Sequence, residues 1–224
     1  ELLVDEKPAE IRSPKDAYAL GIGMVHQHFK LIDVFTAVEN IALVMDQHEK
    51  YDLKAIREKA RAICDKYAFD IDLDQKVYEM SVSQKQTLEI IKMLYRGAQI
   101  LILDEPTAGL DPAGRDEIFE LVRNYHAQSS ATILIVSHSM EDISQIADRL
   151  LVMDHARVLF CDTPREVFSH ADEIVAAGLD IPMITKVMLE LKKRGHDVDT
   201  SVYTVAQAMD ALRACKRKEA AHEC

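Results

Sequence analysis

In the stretch Ile100-Leu-Ile-Leu-Asp-Glu-Pro-Thr-Ala-Gly-Leu-Asp-Pro112, an apolar strand is followed by two adjacent carboxylates and by a turn that ends in a third. A short run of aliphatic residues of this kind predicts a buried strand. Ligands of open α/β sheets bind at the carboxyl ends of strands, where Asp104 and Glu105 would emerge. In phosphoryl chemistry, Asp104 would hold magnesium and Glu105 would position the attacking water. The alternative is an ordinary core strand that ends in an acidic turn, and the length of the pattern disfavours it.

The residues after this stretch continue the alternation of helix and strand. Pro112 suits the first turn of a helix, and apolar residues follow at helical spacing at Ile118, Leu121, Val122 and Tyr125. A second apolar strand, Ala131-Thr-Ile-Leu-Ile-Val-Ser-His138, again ends in polar residues. A βαβ unit would place Ser137 and His138 beside the carboxylates of the first strand. For a histidine after a strand, a capping or surface role is the alternative.

These motifs, in this order, resemble the ATPase subunits of the ATP-binding cassette family. The resemblance implies an α/β fold with a P-loop NTPase-like core, a parallel sheet, an inserted helical subdomain and carboxyl-terminal helices. It also implies that ATP and Mg²⁺ are the cofactors and that Asp104 is a metal ligand. Glu105 and His138 would be catalytic, with His138 in the position of the family's switch histidine, and Asp111 would contact the nucleotide.

Upstream, Gly23-Met-Val-His-Gln-His-Phe29 predicts a short strand that ends in Gln27. The family has a glutamine at this place in the motif order, which contacts magnesium and senses the membrane partner. The resemblance therefore assigns Gln27 to the nucleotide and metal site, with a solvated loop glutamine as the alternative. Next, Thr36-Ala-Val-Glu39 matches a capping box and predicts a helix from about Ala37.

The family's signature loop, usually Leu-Ser-Gly-Gly-Gln, is matched in part by Met80-Ser-Val-Ser-Gln-Lys-Gln86. Val82 and Ser83 stand where the family usually has two glycines. The apolar residues that follow predict a helix, and a helix amino terminus favours an anion. Simple capping of the helix by serine is the alternative. The resemblance implies that four residues contact the ATP of a second subunit, namely Ser81, Val82, Ser83 and Gln84.

The 224 residues contain no Gly-x-x-x-x-Gly-Lys-Ser/Thr sequence, the loop that cradles the β and γ phosphates of ATP. In the family this loop precedes the glutamine motif. The chain opens at Glu1 with residues that read as a strand already under way. We therefore expect an amino-terminally truncated cassette, which by itself binds ATP weakly and has negligible turnover.

Composition limits the class of protein. A hydrophobic content of 48% over 224 residues is enough for a substantial core in one domain with subdomains. The longest aliphatic runs are strand-sized, which predicts no membrane span. A formal net charge of -11 opposes sequence-independent binding to nucleic acid. The four cysteines lack metal-ligand or redox spacing and are expected to be reduced thiols, at positions Cys64, Cys161, Cys215 and Cys224.

The predicted organisation has two parts. Residues 1–160 form an ATPase domain without the phosphate loop, in which residues before about 35 supply strands and residues 36–97 form the helical signature subdomain. Residues 161–224 form a helical extension with two apolar faces, one at Ile184, Val187, Met188 and Leu191 and the other at Val205, Ala208, Met209 and Leu212. We expect these faces to pack against their own domain, with pairing to another ATPase subunit as the alternative.

The resemblance implies an ATP-hydrolysing subunit of a bacterial importer, at the cytoplasmic face of the cell membrane as a peripheral protein. Residues 24–99 are similar to ATPases of simple-sugar and nucleoside importers, and residues from Asp104 onward to those of energy-coupling-factor vitamin and metal importers. The implied partners are a second ATPase subunit, identical or not, and a transmembrane subunit. The alternatives are a cassette ATPase of translation or DNA repair, an inactive nucleotide-binding subunit and a structural domain. Glu105 and His138 disfavour the last two.

Overall fold

The computed structural model describes residues 3–4, 7–45 and 50–222, with side chains up to residue 216. It divides into two compact units, Glu1–Val136 and Ser137–Cys224. The domain boundary predicted at residue 160 lies inside the second unit, so that division stays a prediction. The predicted reduced state of Cys224 concerns a residue outside those described.

The first unit contains both strands and helices. Its strands are β1 (Leu3–Val4), β2 (Lys7–Pro8), β3 (Ile22–Val25), β4 (Ile100–Asp104) and β5 (Thr132–Val136). Its helices are α1 (Pro14–Ala19), α2 (Ala37–Ala42), α3 (Leu53–Tyr67), α4 (Val82–Tyr95) and α5 (Pro112–Gln128), with a 3₁₀ turn at Val77–Glu79.

A parallel sheet of order β3-β4-β5 forms the centre of this unit. The register pairs Val25 with Leu103 and Asp104 with Val136. Helix α5 connects the two parallel strands β4 and β5, as the sequence predicts for a βαβ unit. Leu101 and Leu103, on one face of the central strand β4, are fully buried. The predicted α/β class with a parallel sheet is confirmed.

Residues 36–97 are mainly helical, as predicted. The α3 residues Ile56, Ala60, Cys64 and Tyr67 are buried, and the fifth residue of the predicted stripe, Ile63, is partly exposed. Helix α4 is buried along most of its length, from Gln86 to Tyr95. It packs so closely on β3 that a Cβ atom at Gly23 would lie 3.1 Å from the Cβ of Met93.

Two details of the first 35 residues differ from prediction. The segment contains helix α1 as well as strands, because Ser13 and Asp16 form a capping box and Pro14 occupies the first turn. Strand β3 ends at Val25, two residues before Gln27, so Gln27 lies in the loop that follows the strand.

The second unit is described by itself. Its elements are α6 (Met140–Ile146), β6 (Leu150–Asp154), β7 (Arg157–Asp162), α7 (Pro164–Ser169), α8 (Ala171–Ala176), α9 (Met183–Lys193) and α10 (Val205–His222). Strands β6 and β7 form an antiparallel hairpin. A core around Phe168 and Ile174 joins this hairpin to α7 and α8.

Helices α9 and α10 form a second small core, in which Met188 and Ala208 are fully buried. The predicted cap of α10 is present, since the backbone N–H of Gln207 donates to Thr204 Oγ1. The predicted apolar faces are buried only in part, because four of their residues are exposed, namely Val187, Val205, Met209 and Leu212. Among the described residues, no helix has the length and apolar character needed to cross a membrane.

Candidate functional site

Strand β4 delivers Asp104 and Glu105 to the carboxyl edge of the sheet, as the sequence predicts. Both residues are half-buried. The backbone N–H of Glu105 donates to the carbonyl oxygen of Val136 at 2.8 Å, so the turn begins while its backbone is still bonded to β5. Glu105 has a φ of 48°, a left-handed conformation that costs a non-glycine residue about 1–2 kcal/mol. Strain of this kind is concentrated at functional sites.

The turn after Glu105 leads to Asp111 at the start of α5. The N–H of Ala108 donates to the Glu105 carbonyl, and Pro106 and Thr107 are buried beneath the turn. Asp111 is the N-cap of α5, and its Oδ1 accepts a hydrogen bond from the N–H of Gly114 at 2.9 Å. One oxygen of Asp111 is thus used by the helix, which fixes the orientation of its side chain.

Gln27 is exposed in the loop between β3 and α2, residues 26–36, called here the Gln27 loop. Because β3 and β4 are parallel and Val25 pairs with Leu103, Gln27 and Asp104 leave the sheet at the same edge. The structure therefore brings the glutamine and carboxylate segments to a common edge of the first unit.

The signature segment lies at the amino terminus of α4. Ser81 is the N-cap, and its hydroxyl accepts a hydrogen bond from the N–H of Gln84 at 3.2 Å. The Gln84 side chain accepts in return from the N–H of Ser81, and the Ser81 and Ser83 hydroxyls lie 3.0 Å apart. Val82 is 43% exposed. The capping role is therefore real, and the exposed Ser81 and Val82 also lie at the positive end of a 14-residue helix.

His138 is exposed and belongs to the second unit, whereas the carboxylates belong to the first. Within its own unit it lies between Ser137 and Ser139, whose backbone N–H donates to the Ser137 hydroxyl at 3.1 Å. Ser139 is the N-cap of α6. The predicted placement of His138 beside the β4 carboxylates stays a prediction.

The donor set at the β4 edge suits magnesium bound together with a phosphate ligand. No group of three or more His, Cys, Asp or Glu side chains with metal-binding geometry occurs in the part of the chain that the structure describes. Magnesium commonly uses one or two carboxylates and takes its remaining ligands from substrate phosphates and water. Asp104 with a neighbouring Glu105 fits that mode of binding.

Burial and hydrogen bonding shift the pKa values of two further ionisable groups, Cys64 and Glu39. Burial raises the pKa of Cys64 to about 11, so this thiol stays neutral and is a structural residue of α3. The backbone N–H of Thr36 donates to the Glu39 carboxylate and holds the pKa of Glu39 below its usual value. Both effects accompany packing and capping in the helical segment.

Sequence reasoning missed three buried polar side chains that hold the Gln27 loop. Glu89 and Lys92 of α4, and Asn40 of α2, are each less than 6% exposed and bind backbone groups of that loop. A signal was present, because Glu89 and Lys92 carry opposite charges three residues apart among otherwise apolar residues.

Comparison with known proteins gives a consistent family. The sequence model of the family described as ABC transporter matches residues 2–108. The chain is similar to the energy-coupling factor transporter ATP-binding protein EcfA2 of Clostridioides difficile (strain 630), with 42% identity over 140 residues, 62% of this chain and 49% of that protein. It is also similar to the nucleoside import ATP-binding protein NupA of Lactococcus lactis subsp. cremoris (strain MG1363), with 41% identity over 68% of this chain and 30% of that protein. The chain thus spans about half the length of its EcfA2 relatives.

Solved structures agree with these relatives. The structure of cbiO1 from Clostridium perfringens, described as part of the ABC transporter complex cbiONQ, matches with a TM-score of 0.65 and 29% identity, over 87% of this chain and 74% of that chain. A nucleotide-free ATP-binding cassette from an ABC transporter matches with a TM-score of 0.63 and 22% identity, over 75% of this chain and 72% of that chain. At that identity, the second match supports the fold alone.

Proposed function

Because this chain belongs to the ABC transporter family, we propose that it serves as the ATP-binding and ATP-hydrolysing subunit of a bacterial importer. The observation that carries the proposal is the placement of Asp104 and Glu105 at the end of a buried parallel strand, with Glu105 held in a left-handed conformation. A rigid strand end of this kind fixes carboxylates for phosphoryl transfer, where catalysis depends mainly on positioning and electrostatics.

Each residue of the proposed site has a separate role. Asp104, with Gln27, would hold Mg²⁺, and Glu105 would position and deprotonate the attacking water. Asp111 would contribute to the nucleotide site at the turn into α5. His138, in the second unit, would contact the γ phosphate when the site is assembled. ATP and magnesium supply the phosphoryl group and its charge neutralisation when they are bound.

The proposed partner for the signature segment is the ATP bound to a second cassette subunit. Ser81 and Ser83 offer hydroxyl groups at the amino end of α4, where the helix dipole and backbone N–H groups favour a phosphate. Val82 limits how closely the backbone approaches that phosphate, because it carries side-chain bulk that glycine lacks. A transmembrane subunit would be the second partner, which places the protein at the cytoplasmic face of the membrane.

The relatives point to two classes of importer. Resemblance to EcfA2 supports an energy-coupling-factor importer, and resemblance to NupA supports a nucleoside importer. The first has more support, since EcfA2 proteins of several other bacteria are also 36% to 41% identical to the chain. The alternative function is a cassette that binds nucleotide without hydrolysing it.

The test uses a fusion that places the phosphate-binding segment of an EcfA2 relative before Glu1, because the 224 residues contain no such loop. We expect the fusion to hydrolyse magnesium-ATP with a rate per subunit that rises with protein concentration as dimers form. Ser81→Arg, which fills the anion site with a long cation, should abolish this hydrolysis and leave ATP binding to each subunit intact.

Ser130→Arg is the matched control, since Ser130 is exposed between α5 and β5. It should retain full hydrolysis. Nucleotide binding without turnover in the unmodified fusion would support the non-hydrolysing alternative, and full turnover in Ser81→Arg would reduce the segment to a helix cap.

A further inference from the structure

We propose that Glu89 and Lys92 form a buried clamp that fastens the Gln27 loop to α4, so that this loop and the Ser81 end of the helix move as one body. The two side chains form an ion pair of 3.1 Å and are only 6% and 5% exposed. Charged residues are seldom buried to this extent unless they are paired and hydrogen-bonded. The pair therefore requires a reason beyond the packing of α4.

The ion pair binds both backbone groups of one loop residue. The N–H of Lys30 donates to Glu89 Oε1 at 2.6 Å, and the carbonyl oxygen of Lys30 accepts from Lys92 Nζ at 3.0 Å. The carboxylate thus accepts from the peptide N–H and the ammonium donates to the peptide carbonyl, which pairs each charge with the favourable end of a peptide dipole. The clamp holds the loop by its main chain, and the exposed side chain of Lys30 takes no part.

A second buried side chain also binds both backbone groups of one loop residue. The Oδ1 of Asn40 in α2 accepts from the N–H of Ile32 at 2.8 Å, and its Nδ2 donates to the Ile32 carbonyl at 3.1 Å. Asn40 is completely buried. The Gln27 loop is therefore fixed to α4 at Lys30 and to α2 at Ile32.

An exposed ion pair across the same interface provides a natural control. Lys85 of α4 and Asp33 of the loop lie 3.7 Å apart, and the Asp33 side chain is 68% exposed. Exposed pairs of this kind contribute little, because water screens them. If α4 and the loop are joined by the buried clamp, loss of the Lys85–Asp33 pair should leave the loop in place.

The functional part of this inference rests on the proposed function. Gln27 lies three residues before the clamped Lys30, and Ser81 lies eight residues before Glu89 on the same helix. A rigid connection would couple the positions of Gln27 and Ser81. Gln27 is proposed to contact the magnesium of its own subunit, and Ser81 the ATP of the second subunit, so a shift of one segment would move the other. Glu89 and Lys92 are accordingly positioning residues, which act through the backbone of Lys30.

The first experiment measures amide hydrogen exchange in the unmodified 224-residue chain and in the double variant Glu89→Leu/Lys92→Met. Removing both charges avoids leaving one of them buried and unpaired. The Lys30 amide should exchange about 10- to 100-fold faster, the range expected from losing a hydrogen bond to a charged group. Asp33→Asn, the control, should change that rate by less than about fivefold.

Urea unfolding of the same variants distinguishes detachment of the Gln27 loop from unfolding of the whole protein. The clamp predicts a faster Lys30 amide with the unfolding transition of the double variant preserved. The proposal is overturned if Lys30 exchanges at its original rate in the double variant, or if Asp33→Asn accelerates it equally. Lys92→Arg, the conservative variant, keeps Glu89 and a charged donor, so the Lys30 amide should exchange as slowly as in the unmodified chain.

The second experiment places the double variant in the ATPase fusion and separates binding from turnover. We expect the Kd for magnesium-ATP to stay unchanged and kcat to fall by up to about 100-fold, as expected when a reacting group is misplaced by about 1 Å. Unchanged kcat would overturn the functional part of the clamp. A fusion that hydrolyses no ATP before mutation would count against the proposed function, while the exchange result would still decide whether the clamp exists.

Discussion

Strands β4 and β5 have nearly the same sequence character and very different surroundings. Each is a five-residue parallel strand of aliphatic residues that leads into polar residues. In β4, Leu101 and Leu103 are buried, whereas in β5, Leu134 and Val136 are 47% and 48% exposed. Part of this difference reflects the face of the sheet, because Leu134 is the register partner of Ile102, whereas Leu101 and Leu103 pair with Ile133 and Ile135. On both faces, however, each β5 residue is more exposed than its β4 partner, and β5 pairs only with β4 among the described residues. Burial follows from the neighbours of a strand more than from its composition.

The difference has a consequence for the candidate site. The carboxylates follow the strand that is fixed on both edges, and their turn is tied to the other strand through the bond from the Glu105 N–H to the Val136 oxygen. Strand β5 thus supports the turn from one side while its other edge stays open in the described part of the chain. A site that depends on positioning benefits from the more constrained of the two strands.

The comparison predicts its largest effect for core truncation. Leu103→Ala should lower the free energy of unfolding by about 2–5 kcal/mol, because it leaves a cavity at a fully buried position. Leu134→Ala removes the same atoms from a half-exposed position and should cost about 1 kcal/mol. Urea unfolding of both variants measures the difference.

An equal decrease in the free energy of unfolding of the two variants would contradict the difference between β4 and β5. Such a result would mean that Leu134 is covered in solution, and that both strands belong to the interior of the folded protein.

A smaller effect is predicted along β5 itself. The N–H of Thr132 donates to the Gln99 carbonyl oxygen, and the carbonyl oxygen of Val136 accepts from the N–H of Glu105. The backbone N–H and C=O groups of residues 132, 134 and 136 therefore point toward β4. Backbone groups of alternate residues point to opposite edges, and the amides of Ile133 and Ile135 therefore face the open edge. Those two amides should exchange about tenfold faster than the Leu134 amide, the factor expected for one hydrogen bond.

Residue-resolved exchange by NMR would sharpen or contradict this picture. Slow exchange at Ile133 and Ile135, equal to that at Leu134, would show that another segment pairs with this edge in solution.

Sequence patterns predicted the central sheet and the helix starts because these depend on local chemistry. The strand before Asp104, the capping box at Thr36 and the helix that begins after Ser81 each form as expected. Helix α1 was missed, since its six residues are too few to show a helical period, although Ser13 and Pro14 marked its start.

The features that sequence could not predict depend on residues distant in the chain. The clamp joins Lys30 to Lys92, 62 residues away, and no local pattern specifies which backbone group a buried charge will bind. The exposure of β5 likewise depends on what lies at its edge. The left-handed conformation of Glu105 is also outside the reach of pattern analysis, because glutamate has no preference for positive φ.

In the proposed mechanism, Glu105 activates water while Asp104 holds magnesium. Its most direct test measures ATP binding and turnover in the ATPase fusion for Glu105→Gln and Asp104→Asn, with Glu117→Gln on the exposed face of α5 as the control. Glu105→Gln should lower kcat by about 10²–10⁴-fold with ATP binding retained, because the amide keeps the size of the side chain and loses the base. Asp104→Asn should weaken binding and turnover together, and hydrolysis at the original rate in Glu105→Gln would contradict the account.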